Sequence, residues 1–146
     1  MEESINLLEK IEEAFAVEEL DIRSYSPLTL AYIGDAVYDL IIRTVVVGRA
    51  NRAASALHKK TSGFVKAKTQ SDVVEVLIPH LTEEELEIYK RGRNAKSHTM
   101  AKNASVSDYR RATGFEALVG YLYLTGNFDR ILQLVTKGIA EIGMVL

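Results

Sequence analysis

Apolar residues recur along this chain at helical spacing, while the strict alternation of a half-buried strand is scarce. The pattern predicts an all-α protein. Residues 5–20 place Leu7, Leu8, Ile11, Ala14 and Phe15 on one face of an acidic amphipathic helix, and residues 21–25 form a connector. Ser26 and Pro27 then open a long helix that ends near Gly48; the hydroxyl caps free N–H groups and the proline ring fits the first turn. A short polar helix is predicted over 51–60, followed by another over 63–77 that carries Phe64, Ala67, Val73, Val74 and Leu77 and is ended by Pro79. Thr82 and Glu85 have the spacing of a capping box, and the helix they start runs to about Lys90. Residues 92–107 read as a loop, and helices over 108–124 and 128–142 complete the chain, with Gly126 and Asn127 between them.

Two of these helices break their own pattern. Residues 26–47 are apolar on nearly every side, as expected of a helix buried on most sides, yet Asp35 sits in the middle directly after Gly34. A glycine inside a helix costs about 1 kcal/mol relative to alanine, and an unpaired buried carboxylate costs several kcal/mol more. Residues 113–124 repeat the problem: Glu116 is the single charge among Phe115, Leu118, Val119, Tyr121, Leu122 and Tyr123, with Gly120 on the same face. Either each acid pairs with an arginine, Arg43 and Arg49 being at hand, or a hard divalent cation lies between the two. Mg²⁺, or Mn²⁺ in its place, prefers oxygen ligands and keeps positions open for water and phosphate.

Composition narrows the chemistry. At 146 residues the chain is long enough for one domain with a sizeable core, and we take residues 1–146 as that domain. It has no cysteine, which removes disulfides, thiolate zinc sites and thiol nucleophiles and fits a cytoplasmic protein. The acidic N-terminus shows no secretory signal, and no uncharged apolar run has the roughly 18 residues of a membrane span. A formal net charge of −2 means that any contact with nucleic acid has to come from a local basic patch. One is present. Lys90, Arg91, Arg93, Lys96 and Lys102 follow one another with no acid between them, interleaved with Asn94, Ser97, His98, Thr99 and Asn103. Cations mixed with small polar groups suit a phosphate backbone, and Gly92 allows close backbone approach. Lys59, Lys60, Lys66 and Lys68 extend the candidate patch, and the alternative is an ordinary solvated basic loop. His58, His80 and His98 lack metal-ligand spacing.

The motif LAYIGDAVYDL around Asp35 resembles the signature helix of the ribonuclease III family, and FEALVGYLYL around Glu116 resembles that family's second catalytic helix. The intervening KRGRNAKSHTMAKNASVSDYRRATGFEAL is similar to the short, single-domain mini-ribonuclease III branch, whose members lack a double-stranded-RNA-binding domain. The resemblance extends over about residues 28–134. It implies a helical endonuclease domain that forms a homodimer, with Asp35 and Glu116 as catalytic, metal-binding acids. Three other acidic family positions are occupied here by Leu28, Ala31 and Thr113. Water, phosphate oxygens or a nearby acid then complete the coordination, with Asp39 and Asp108 as candidates.

The activity implied is Mg²⁺-dependent cleavage of double-stranded RNA to 5′-phosphate and 3′-hydroxyl ends, and the implied substrate is the precursor of large-subunit ribosomal RNA. Lys90, Arg91, Arg93, Asn94, Lys96 and Lys102 are the candidate phosphate contacts. The competing expectation is a catalytically inactive RNA- or ribosome-binding module on the same fold, for which the missing acids speak and the retained Asp35 and Glu116 do not.

Overall fold

The computed structural model describes residues 6–96 and 105–146. Among them there are helices and turns and no strand. Seven α-helices follow one another: α1 (Leu7–Ala14), α2 (Pro27–Arg49), α3 (Ala54–Val65), α4 (Ala67–Leu77), α5 (Glu83–Asn94), α6 (Val106–Leu124) and α7 (Phe128–Glu141), with short 3₁₀ turns at Ile22–Ser24 and Ile78–His80. The caps behave as the sequence predicts. Ser26 accepts from the Thr29 N–H at the start of α2, and the Thr82–Glu85 capping box is closed in both directions at the start of α5.

Helix α6 is the hub, packed against α2, α5, α4 and α7. Its contact with α2 is a backbone-to-backbone crossing made possible by glycine. A Cβ built on Gly34 would overlap the Glu116 carbonyl oxygen, and one built on Gly120 would overlap the Leu30 carbonyl. Gly34 and Gly120 therefore bring the two helices closer than any other residue pair allows. The main core lies on one side of this crossing. Tyr38, Ile42, Val73, Leu77, Phe115 and Leu118 are fully buried there, with the Tyr38 and Phe115 rings edge to face at 5.4 Å. The buried Tyr38 hydroxyl donates to the Phe64 carbonyl at 2.8 Å. A smaller cluster of Leu30, Ala31 and Ala117, joined by Ile22, Tyr25 and Ile88, lies apart from it.

An ion pair fastens α5 to α7. Arg130 grips the buried Glu85 with two N–H···O bonds of 2.9 Å each, while the same carboxylate accepts the Thr82 N–H. Arg130 holds the Glu85 carboxyl below the usual carboxylate range.

Four expectations are corrected. Helix α2 is not buried all round: Leu28, Tyr32, Leu40 and Val47 leave an exposed apolar stripe, with Tyr32 at 82 % exposure. Helix α1 is shorter than 5–20, ends before Ala16 with its positive φ of 51°, and buries none of its residues. The two helices expected over 51–60 and 63–77 divide instead at Lys66, because α4 side chains accept the role of a cap. Thr69 Oγ1 donates to the Gly63 carbonyl at 2.6 Å and Gln70 Nε2 to the Val65 carbonyl at 2.8 Å, satisfying α3 as it ends. Finally, Gly92 does not begin a loop. It is buried inside α5, where an added Cβ would lie 2.8 Å from Ala117 Cβ and 2.9 Å from Gly114 Cα.

Candidate active site

The glycine crossing decides where the two isolated acids go. Asp35 follows Gly34 on α2, and Glu116 on α6 supplies the carbonyl that Gly34 covers, so the crossing that needs glycine also sets the two carboxyl groups within hydrogen-bonding reach of each other. They differ in surroundings. Asp35 is exposed, contrary to the burial expected of it, whereas Glu116 is largely enclosed. Burial, followed by the Asp35 carboxyl and its charge, pushes Glu116 up to about 8, only partly offset by a hydrogen bond from Gln70. At neutral pH Glu116 thus keeps its proton in the metal-free protein.

No cation of the described residues relieves this pair. Among the described residues neither acid takes part in a salt bridge; Arg43 pairs with Asp39 at 2.8 Å and not with Asp35. That contact also answers for Asp39, whose carboxylate is turned to its own helix. Asp108 is held low by the nearby Ser71 and Ser105 hydroxyls and then by the Lys68 and Arg111 charges. It sits eight residues before Glu116 on α6, roughly 12 Å along the axis at helical rise, and is not a co-ligand of the same ion. Ala31 and Thr113 are packed into the interior, the Thr113 hydroxyl donating to the Tyr109 carbonyl at 3.0 Å. No group of three or more His, Cys, Asp or Glu residues that could hold a metal occurs among the described residues. The donor set at the crossing is therefore two carboxyl groups, hard oxygen ligands with no competing cation among the described residues. That set fits Mg²⁺ or Mn²⁺ retaining several waters, and it suits neither zinc nor calcium in a protein cage.

Gln70 is the residue the sequence pattern did not single out. It is 2 % exposed on α4, and its Nε2 reaches Glu116 Oε2 at 3.3 Å. The available signal was its position: it lies on the face that carries Val73, Val74 and Leu77, where a polar residue has to find a partner.

The basic stretch is partly helical. Lys90, Arg91 and Asn94 are exposed on α5 around a shallow cleft that also includes Glu83 and Glu87. Arg93 lies over the Tyr89 ring at 5.6 Å and donates to Asn94 Oδ1 at 3.2 Å, and Lys96 is exposed beyond the helix end. Lys102, with Ser97, His98, Thr99 and Asn103, lies outside the described residues. Of the lysines proposed to extend the patch, Lys68 is paired with Asp72 at 2.7 Å and Lys60 lies over the Phe64 ring.

Residues 28–127 match the family model described as the ribonuclease III domain, a span that holds the crossing, both acids and Gln70. The chain belongs to the ribonuclease III family. It is 52 % identical over 123 residues to the Mini-ribonuclease 3 of Thermoanaerobacter sp. (strain X514), covering 82 % of this chain and 87 % of that one. The Mini-ribonuclease 3 of Clostridium tetani is 49 % identical over 79 % of this chain and 77 % of its own. That of Enterococcus faecalis is 45 % identical over 84 % and 95 %. Among solved structures, a Fusobacterium nucleatum protein determined by X-ray crystallography superposes with a TM-score of 0.75 at 35 % identity, covering 83 % of this chain and 97 % of the other. The ribonuclease III fold and the helical architecture described above thus agree. No helix among the described residues is long and apolar enough to cross a membrane.

Proposed function

We propose that this ribonuclease III family chain is an endoribonuclease that cuts double-stranded RNA with the help of Mg²⁺, and that residues 1–146 act as one catalytic domain. The observation that carries this is the pairing of Asp35 with Glu116 across the α2–α6 crossing with no cationic partner among the described residues. In this proposal Asp35 and Glu116 hold the cation. Such a cation, when bound, supplies Lewis acidity towards a phosphodiester and activates water. The protein's own part is then specific. Glu116 gives up its proton as it becomes a ligand, so cation binding releases a proton near neutral pH. Asp35, exposed at the open side of the pair, stands where an incoming strand arrives. Lys90, Arg91, Arg93, Asn94, Lys96 and Lys102 contact phosphates, and recognition follows the A-form shape of the duplex instead of its base sequence. The products carry 5′-phosphate and 3′-hydroxyl ends.

Two finer assignments belong to the same proposal. The substrate is the precursor of large-subunit ribosomal RNA at its paired ends. The working unit is a homodimer, for which the exposed Leu28, Tyr32, Leu40 and Val47 of α2 supply a self-complementary apolar stripe beside Asp35; Tyr32→Glu then yields monomers in analytical ultracentrifugation.

The interior packing of Ala31 and Thr113 favours one competing function, a module that binds RNA without cutting it. Incubation with a long RNA duplex in Mg²⁺ or EDTA, beside Asp35→Asn, separates the two. Metal-dependent cutting that Asp35→Asn loses is the expected result, and binding without cutting in every divalent metal overturns the enzyme assignment in favour of the module.

A further inference from the structure

We infer that Gln70 is a positioning residue for the metal-holding carboxylate, fixing Glu116 through a rigid helix corner. This deepens the function proposed above and rests on Asp35 and Glu116 holding a divalent cation. The starting point is an amide in an unfavourable place. Gln70 is 2 % exposed, on the face of α4 that also buries Val73, Val74 and Leu77, and its Oε1 has no hydrogen-bond partner. A buried, unsatisfied acceptor is a standing cost, and a leucine or methionine at this position would avoid it. What the apolar residues cannot supply is the Nε2 group. Its two hydrogens go to the Val65 carbonyl at 2.8 Å and to Glu116 Oε2 at 3.3 Å.

The first of these contacts makes the second directional. Val65 is the last residue of α3, and Thr69 ties the same corner by donating to the Gly63 carbonyl at 2.6 Å. The amide plane is thus set by two helices, and one side of Glu116 Oε2 is engaged. The terminal torsion of a glutamate is broad and soft. A fixed donor on one oxygen narrows it, so that the carboxylate is already oriented when the cation arrives. Among the described residues Gln70 is the side chain that hydrogen-bonds Glu116 from a helix other than α2. Partners of this kind, one shell out from a metal ligand, change metal affinity roughly 10–100-fold when removed.

The test uses Mn²⁺ as the probe. Free Mn²⁺ is followed by electron paramagnetic resonance during titration of the parent protein and of Gln70→Leu, and both are melted in EDTA. The expected result is a roughly 10–100-fold weaker Mn²⁺ dissociation constant for Gln70→Leu, together with a somewhat lower melting temperature from the lost Val65 contact. A merely structural glutamine would give a lower melting temperature with unchanged Mn²⁺ affinity, and that outcome overturns the inference. Should Gln70→Leu fail to fold, the parent protein carries the test. Its Gln70 side-chain amide resonances shift during Mg²⁺ titration if the amide holds a ligand, and unmoved resonances overturn the inference. A parent protein that binds neither Mn²⁺ nor Mg²⁺ removes the metal-holding role of Asp35 and Glu116 as well, which distinguishes that failure from a failure of Gln70 alone.

Discussion

Replacing Glu116 with glutamine should make the metal-free protein more stable while abolishing its chemistry. The physical cause is the enclosed carboxyl. Glu116 titrates near its ordinary value of 4.5 in the unfolded chain and at about 8 in the folded one, through burial and the neighbouring Asp35. A raised folded value means that stability is fully present below pH 4.5 and is lost as the pH climbs through 8, because the unfolded chain sheds its proton first. Each unit of difference is worth about 1.4 kcal/mol. At pH 7 that gives a ceiling of about 3.4 kcal/mol, and with solvent reaching part of the carboxyl we take ~1–3 kcal/mol. Glutamine has the same shape, keeps an acceptor for Gln70 Nε2 and carries no charge. In EDTA at pH 7.5, at fixed protein concentration, Glu116→Gln should therefore melt roughly 3–10 °C higher than the parent. The gap should close as the pH is lowered to 4.5. Millimolar Mg²⁺ should raise the parent's melting temperature and leave the variant's where it was. A variant no more stable than the parent at pH 7.5, or one whose advantage is the same at pH 5, refutes the reasoning.

Other perturbations follow from the same structure. Gly34→Ala places a Cβ against the Glu116 carbonyl and should prevent the α2–α6 crossing, destabilising by more than ~3 kcal/mol in chemical denaturation; a variant that folds normally would mean the crossing is looser than described. Arg130→Ala leaves the buried Glu85 carboxylate without its cation and should cost ~3 kcal/mol, with partial recovery on acidification as Glu85 protonates; no change in the urea midpoint would contradict this. Arg91→Ala with Arg93→Ala should weaken duplex binding and lower the slope of log K against log salt by about one per lost phosphate contact, an unchanged slope removing α5 from the interface.

Much of the helical order was legible because it rests on local signals: caps at Ser26 and Thr82, Pro79, the Gly126–Asn127 break and the 3.6-residue period of α7. What failed was non-local. Gly34 and Gly120 stood out in the sequence only as unfavourable helix residues near the acids, when each is there because the other helix's backbone lies against it. The period of α2 cannot tell an apolar stripe covered by the chain from one left open, which is why Asp35 seemed buried and is exposed. The division between α3 and α4 has no proline or glycine at Lys66; it is made by Thr69 and Gln70 reaching back to the Gly63 and Val65 carbonyls. Likewise α5 continues through Gly92 because that glycine packs on α6, a contact that outweighs its poor helix propensity. The candidate site divides the same way. The isolated acids Asp35 and Glu116 stood out against their apolar surroundings, whereas Gln70 became visible only once α4 was placed beside α6.

The central claim is that Asp35 and Glu116 together bind a divalent cation at the α2–α6 crossing, and it can be tested by letting the cation mark its own position. Fe²⁺ is exchanged into the folded protein, and ascorbate with peroxide is added so that hydroxyl radicals cut the nearest backbone. The account predicts chain breaks close to residue 35 on α2 and residue 116 on α6, suppressed by excess Mg²⁺ and absent from Asp35→Asn. Breaks elsewhere, or breaks at the crossing that persist in Asp35→Asn and resist Mg²⁺, would contradict it.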